Sequence, residues 1–138
     1  MSGELSAHER ECTERWCELL RERLGPLLLE IRLFGSAARG EMWPTHSPMH
    51  SDIDLLVLTA DELDEGLEDE LVSETYALFL ECGRQISPQF RTRAWLERPP
   101  GERAREFRDR VAADAVVLWP SPRQRSATLG RAWGCSRS

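Results

Sequence analysis

The stretch that most limits what this chain can become is Leu33 to Leu58, LFGSAARGEMWPTHSPMHSDIDLLVL. Its last part, DIDLLVLT from Asp52 to Thr59, is a near-continuous apolar run of strand-forming residues. Such a run predicts a strand buried on both faces, which requires a sheet with helices packed against it. The preceding apolar run, Leu27 to Phe34, alternates Leu29, Ile31 and Leu33 with Glu30 and Arg32, so it is also predicted as a strand. Gly35 and Ser36 break that strand, and Ala37-Ala38-Arg39 reads as the first turn of a short helix stopped by Gly40. Between the two strands, Met42 to His50 carries Pro44 and Pro48, a loop composition.

The flanking segments supply the helices. From His8 to Leu24, Trp16, Leu19, Leu20 and Leu24 recur at helical spacing among Glu and Arg, and Gly25-Pro26 ends the run. A helix from Asp61 to about Cys82 is predicted to carry Leu63, Leu67, Leu71, Tyr76, Leu78 and Phe79 towards the core, with Gly83 as its stop. Gln85 to Arg93 reads as a third strand, which Pro88 confines to an edge or a bulge. Trp95 and Leu96 fall in a short turn or helix, and Glu102 to Ala113 forms another helix, with Phe107 and Val111 one turn apart. Val116 to Trp119 is either a last strand or an apolar plug. Residues 120–138 lack periodicity and are expected to form a disordered tail, leaving 1–119 as one domain. The order αβ(α)βαβαβ implies a small α/β or α+β sheet backed by helices.

A chain of 138 residues with 41% apolar and 30% charged side chains has room for one modest domain with a real core. The N-terminus, polar and acidic, is unlike a signal peptide, and no apolar run approaches the ~20 residues that span a bilayer. The expected location is the cytoplasm, with no membrane contact. A net charge of -6 opposes general nucleic-acid binding, so none is expected. Charge is nonetheless segregated: Asp61 to Glu81 is acidic, while Arg91 to Arg110 and the tail hold most of the basic residues. All are arginine, as a GC-rich genome would produce. The acidic helix reads as a solvated face or a surface for a basic partner. Cys12, Cys17, Cys82 and Cys135 have no zinc-ligand spacing and read as reduced thiols. His46 and His50 belong to a solvated loop, and Trp43 and Trp133 fall in irregular segments as contact candidates.

The chemistry concentrates at the two breaks. A glycine at a strand end lets backbone approach a ligand closely. A helix starting at Ser36 would point unpaired N–H groups at an anion, with the Ser36 hydroxyl and Arg39 as further partners for phosphate. Asp52 and Asp54, two apart on a strand, project from the same face. Two convergent carboxylates repel each other, and a hard divalent cation, Mg²⁺ above all, relieves that repulsion while binding phosphate oxygens. A phosphate clamp beside a metal clamp suits phosphoryl transfer.

LFGSAARGE followed by SDIDLLV resembles the minimal nucleotidyltransferase domain of the polymerase β-like superfamily. The motif is carried by Gly35, Ser36, Arg39, Gly40, Asp52 and Asp54. QISPQF and RVAADAVVLWP are similar to the later, looser parts of such domains. The resemblance implies an α+β palm fold built on a small mixed sheet. It implies nucleotide binding by Gly35, Ser36 and Arg39, with Asp52 and Asp54 as metal ligands and catalytic residues. It further implies Mg²⁺, ATP or another nucleoside triphosphate, and a hydroxyl acceptor. Domains of this kind often act as antitoxins that silence a HEPN ribonuclease toxin by adding AMP to it. Two departures stand out. The loop from Met42 to His50 is several residues longer than the family's usual spacing, and Gln85 to Arg93 holds no acid for the family's third carboxylate. A degenerate module that neutralises a partner by contact is therefore the first alternative. A small-molecule, aminoglycoside-type nucleotidyltransferase is the second; such enzymes usually carry an additional helical domain.

Overall fold

The computed structural model describes residues 5–40 and 52–120. Helix α1 spans Ala7–Leu24 and starts with a reciprocal cap. Ser6 Oγ accepts from the Glu9 N–H at 3.1 Å, and Glu9 Oε1 accepts from the Ser6 N–H at 2.9 Å. Trp16, Leu20 and Leu24 line its buried face. A 3-10 turn at Gly25–Leu27, with Pro26 at its start, leads into β1, Leu28–Phe34. The short helix α2 is Gly35–Arg39, β2 is Ile53–Thr59, and α3 is Glu65–Cys82. Strand β3 covers Ile86–Thr92, α4 Arg93–Glu97, α5 Glu102–Asp114 and β4 Val116–Trp119. The apolar segment before Pro120 is thus a strand and not a plug.

The four strands form one mixed sheet in the order β3-β2-β1-β4. β1 runs antiparallel to β2 and β4, whereas β2 and β3 are parallel, with α3 as the crossover such a pair needs. Pro88 lies in β3, at the sheet edge, where its missing N–H costs no ladder bond on the outer side.

β2 is buried on both faces, as its composition predicts. Ile53, Leu55 and Val57 join Trp16, Leu20, Ile31, Leu33, Leu71 and Ile86 in the main core under α1 and α3. Leu56 and Leu58 turn the other way, to Val111 and Phe107 of α5. Each such side chain contributes ~1.5–3 kcal/mol on burial. Trp16 ties three elements together: its Nε1–H donates to the Leu71 carbonyl at 3.0 Å, and its ring stands edge-on to Phe90 at 6.3 Å. A second tether is ionic. Arg84 donates to Glu9 at 3.0 Å with both side chains almost wholly buried, so the residue that caps α1 also anchors the entry to β3.

Two expectations are revised. Helix α3 begins at Glu65, capped by Asp64, because Thr59 Oγ1 donates to the Asp61 carbonyl and holds Asp61 in the turn after β2. Its inward face is Leu71, Thr75 and Leu78. Tyr76 and Phe79, expected inside, are 60% and 38% exposed, because the small Thr75 takes the inward position that keeps Leu71 and Leu78 against the core. Glu30 and Arg32, the charged residues of the β1 alternation, pair with each other on the second face, Glu30 being buried. Trp43, His46, His50, the Met42 to His50 loop, Trp133, Cys135 and the tail 121–138 lie outside the described residues. No described helix is long and apolar enough to cross a membrane.

Candidate functional site

The sheet brings the two sequence breaks together. β1 ends at Phe34, whose Cα partner in β2 is Asp54; on the other side Asp54 is in register with Ser87 of β3. Asp52 is the residue before β2 begins, and the Ile53 N–H donates to the Gln85 carbonyl at 2.8 Å, pinning this end of the strand. Alternation along β2 turns Asp54 to the same face as Leu56 and Leu58, away from the main core. Both carboxylates therefore sit at the entry to the central strand, next to the turn that ends β1.

Gly35 opens α2 with φ +72°, in the left-handed region that favours glycine. A Cβ built on it would stand 2.5 Å from Asp54 Oδ2, inside van der Waals contact. The absent side chain at Gly35 is thus what admits the Asp54 carboxylate against the backbone. Ser36 follows on the same turn, half-buried, and Ala37 packs into the main core and fixes the short helix from below. Gly40 closes α2 in a left-handed conformation with its N–H bonded to the Ala37 carbonyl.

The electrostatics match this crowding. Asp54 is pushed from 3.8 up to about 6, first by burial and then by the Asp52 charge; Arg39 acts in the opposite sense. Arg39 is thus within electrostatic reach of the pair. Its guanidinium also donates to Asp114 Oδ2 at 2.9 Å, joining α2 to the end of α5. Asp114 is a site neighbour that the sequence does not disclose, since the two residues lie 75 apart.

No acid lies on β3, and the position beside Asp54 is the neutral Ser87. Among the described residues, no group of three or more His, Cys, Asp or Glu could hold a metal ion. Asp52 and Asp54 alone provide two hard oxygen donors under mutual repulsion. That set suits a divalent cation which completes its shell with water and phosphate oxygens. A cavity of about 620 Å³ is lined by Cys17, Arg21, Leu33, Arg39, Gly40 and Trp119 among others; it takes in Arg39, but neither aspartate borders it. The two aspartates therefore lie outside this cavity, at the sheet end.

Comparison with known proteins gives the fold and the family. No curated protein sequence matches the chain. Among solved structures, a toxin–antitoxin complex with AMP-PNP matches at 22% identity and TM-score 0.53, covering 90% of this chain and 86% of that one. A variant of the MntA–HpeT toxin–antitoxin complex matches at 23% identity and TM-score 0.52, with 91% and 85% covered. A complex of tri-AMPylated Shewanella oneidensis HEPN toxin with MNT antitoxin matches at 20% identity and TM-score 0.51, with 93% and 86% covered. At these identities the likeness is one of fold, the α+β mixed sheet with helices. The family model described as "Nucleotidyltransferase domain" matches residues 13–112, a span holding the Gly-Ser turn and both aspartates. The chain belongs to the nucleotidyltransferase domain family.

Proposed function

We propose that this chain is an antitoxin-type nucleotidyltransferase that moves AMP from ATP onto a hydroxyl of a HEPN-type toxin. The observation that carries the reading is the Asp54 carboxylate set against the Cα of Gly35, two residues along the chain from Asp52. That contact joins a phosphate-binding turn to an acid pair at one sheet end. The fold neighbours add weight: one is a toxin–antitoxin complex with an ATP analogue, another an MNT antitoxin with its AMPylated HEPN toxin.

In this reading the Gly35–Ser36 turn holds the triphosphate through backbone N–H groups and the Ser36 hydroxyl, and Arg39 contributes a charge-assisted contact. Asp52 and Asp54 would hold a divalent cation, Mg²⁺ in our assignment. When bound, it neutralises charge on the phosphates and polarises the α-phosphoryl group. The acceptor hydroxyl attacks the α-phosphorus, its oxygen forming the new ester bond as the bond to pyrophosphate breaks in line. With Ser87 where a third acid would stand, Asp52 and Asp54 are the carboxylates beside the reacting hydroxyl, so uptake of its proton falls to them. The catalytic unit is residues 1–119.

Ser87 also favours a second reading, in which the domain binds nucleotide weakly and neutralises its partner by contact alone. The two separate in one experiment. The protein is incubated with α-labelled ATP, Mg²⁺ and the toxin, beside an Asp52→Asn/Asp54→Asn variant. Label on the toxin that vanishes in the variant is the expected result. Label that persists in the variant would remove the aspartates from the chemistry, and toxin neutralised without label in the wild type would support the contact reading.

A further inference from the structure

Within the described residues, four large apolar side chains are conspicuously exposed, and three of them fall on one flank of α3. Leu80 is 83% exposed, Tyr76 60% and Phe79 38%. Tyr76 and Leu80 are one turn apart, so they form a continuous apolar step. Continuing the same helical flank towards the N-terminus reaches Asp69 and Glu65, both exposed and without an ion pair among the described residues. The opposite flank is already occupied, because Glu70 and Glu81 pair with Arg23 and Arg15 of α1. The free flank therefore faces away from α1. From Glu65 to Leu80 it extends ~22 Å at 1.5 Å per residue, enough for a partner helix to lie along it.

Charge narrows the occupant. Helix α3 carries six acidic side chains and no basic one, and the whole chain has a net charge of -6. A second copy placed on this flank would set two acidic helices against each other. We propose that the outer flank of α3 is a docking surface for the acceptor protein, which meets it with an apolar patch bordered by Arg or Lys. Tyr76 and Leu80 anchor the contact, and Asp69 and Glu65 set its orientation and its salt dependence. The identity of the acceptor rests on the proposed function; the surface rests on exposure and charge alone.

The test uses the full chain and a HEPN-type toxin, the partner class of the proposed function. Affinity is measured for the wild type, for Tyr76→Ser/Leu80→Ser and for Glu65→Arg/Asp69→Arg, with ATP binding and thermal unfolding as controls. All four positions are exposed, so ATP binding should not move; thermal unfolding should hold in the serine variant and fall only slightly in the arginine one, where Glu65 stands in the first turn of α3. The expected result is partner binding weakened about tenfold or more in both variants, with wild-type affinity falling as salt rises. Equal affinity in all three proteins overturns the surface while leaving the toxin assignment intact. No binding by any of them, with ATP still bound, overturns the acceptor assignment and this proposal together. One other result overturns it by naming a different occupant: a wild-type dimer lost in the serine variant.

Discussion

Replacing Asp54 by Asn should make the metal-free protein more stable at neutral pH while abolishing transfer. The native carboxyl is raised from 3.8 to about 6, by burial first and by the neighbouring Asp52 charge second. Between those two values the folded state binds more protons at this site than the unfolded state. The linkage slope is then negative, so stability falls as pH rises through the window. Below about 4 the group is protonated in both states and the penalty vanishes. Above about 6 it is ionised in both and the penalty is complete. Two pK units correspond to ~3 kcal/mol at most. The side chain is only half-buried, so solvent screening reduces this to ~1–1.5 kcal/mol, or ~3–6 °C in Tm for a domain of this size. The assay is thermal unfolding of wild type and Asp54→Asn in EDTA at pH 8 and pH 4. The variant should melt higher at pH 8 and level with the wild type at pH 4. Adding Mg²⁺ at pH 8 should raise the wild type and leave the variant where it was. A variant no more stable than wild type at pH 8 would refute the claim that Asp54 is held ionised against an opposing environment.

Further outcomes follow from the same geometry. Gly35→Ala should cost ~1–2 kcal/mol from the positive φ alone and weaken ATP binding, because its Cβ displaces the Asp54 carboxylate; urea unfolding and ATP titration read the two effects. Arg84→Met leaves Glu9 as a buried charge without that partner, so a loss of ~3–5 kcal/mol in urea unfolding is expected. Ser87→Asp places a carboxylate beside Asp54 in the register. It should lower the metal-free Tm by a few degrees, raise affinity for Mg²⁺ or Mn²⁺ several-fold by calorimetry, and speed transfer.

Much of the site could be read from the chain because its parts are local. Gly35-Ser36 and Asp52-Ile53-Asp54 each lie within a few residues, and the apolar run after Asp54 announces a central strand. The antiparallel pairing of β1 and β2 then brings the breaks together with little freedom left. What the sequence concealed depends on pairings between distant segments. That Ser87 is the residue beside Asp54 follows from the parallel register of β3, which no local pattern reveals. The Arg39–Asp114 pair depends on α5 folding back over the sheet, and Glu30 is buried only because Arg32 accompanies it. Tyr76 and Phe79 face outward for another reason. α3 offers two apolar stripes, and the inward one is completed by Thr75, a residue that hydrophobicity does not single out.

The central claim is that this sheet end transfers a nucleoside monophosphate instead of merely holding a nucleotide or a partner. Intact-mass measurement of the HEPN-type partner, after incubation with this chain, ATP and Mg²⁺, addresses it most directly. The account predicts a partner heavier by one or more AMP groups, with pyrophosphate released in equal amount, and no gain with Asp52→Asn/Asp54→Asn. A partner of unchanged mass, bound and neutralised by the wild type, would contradict it.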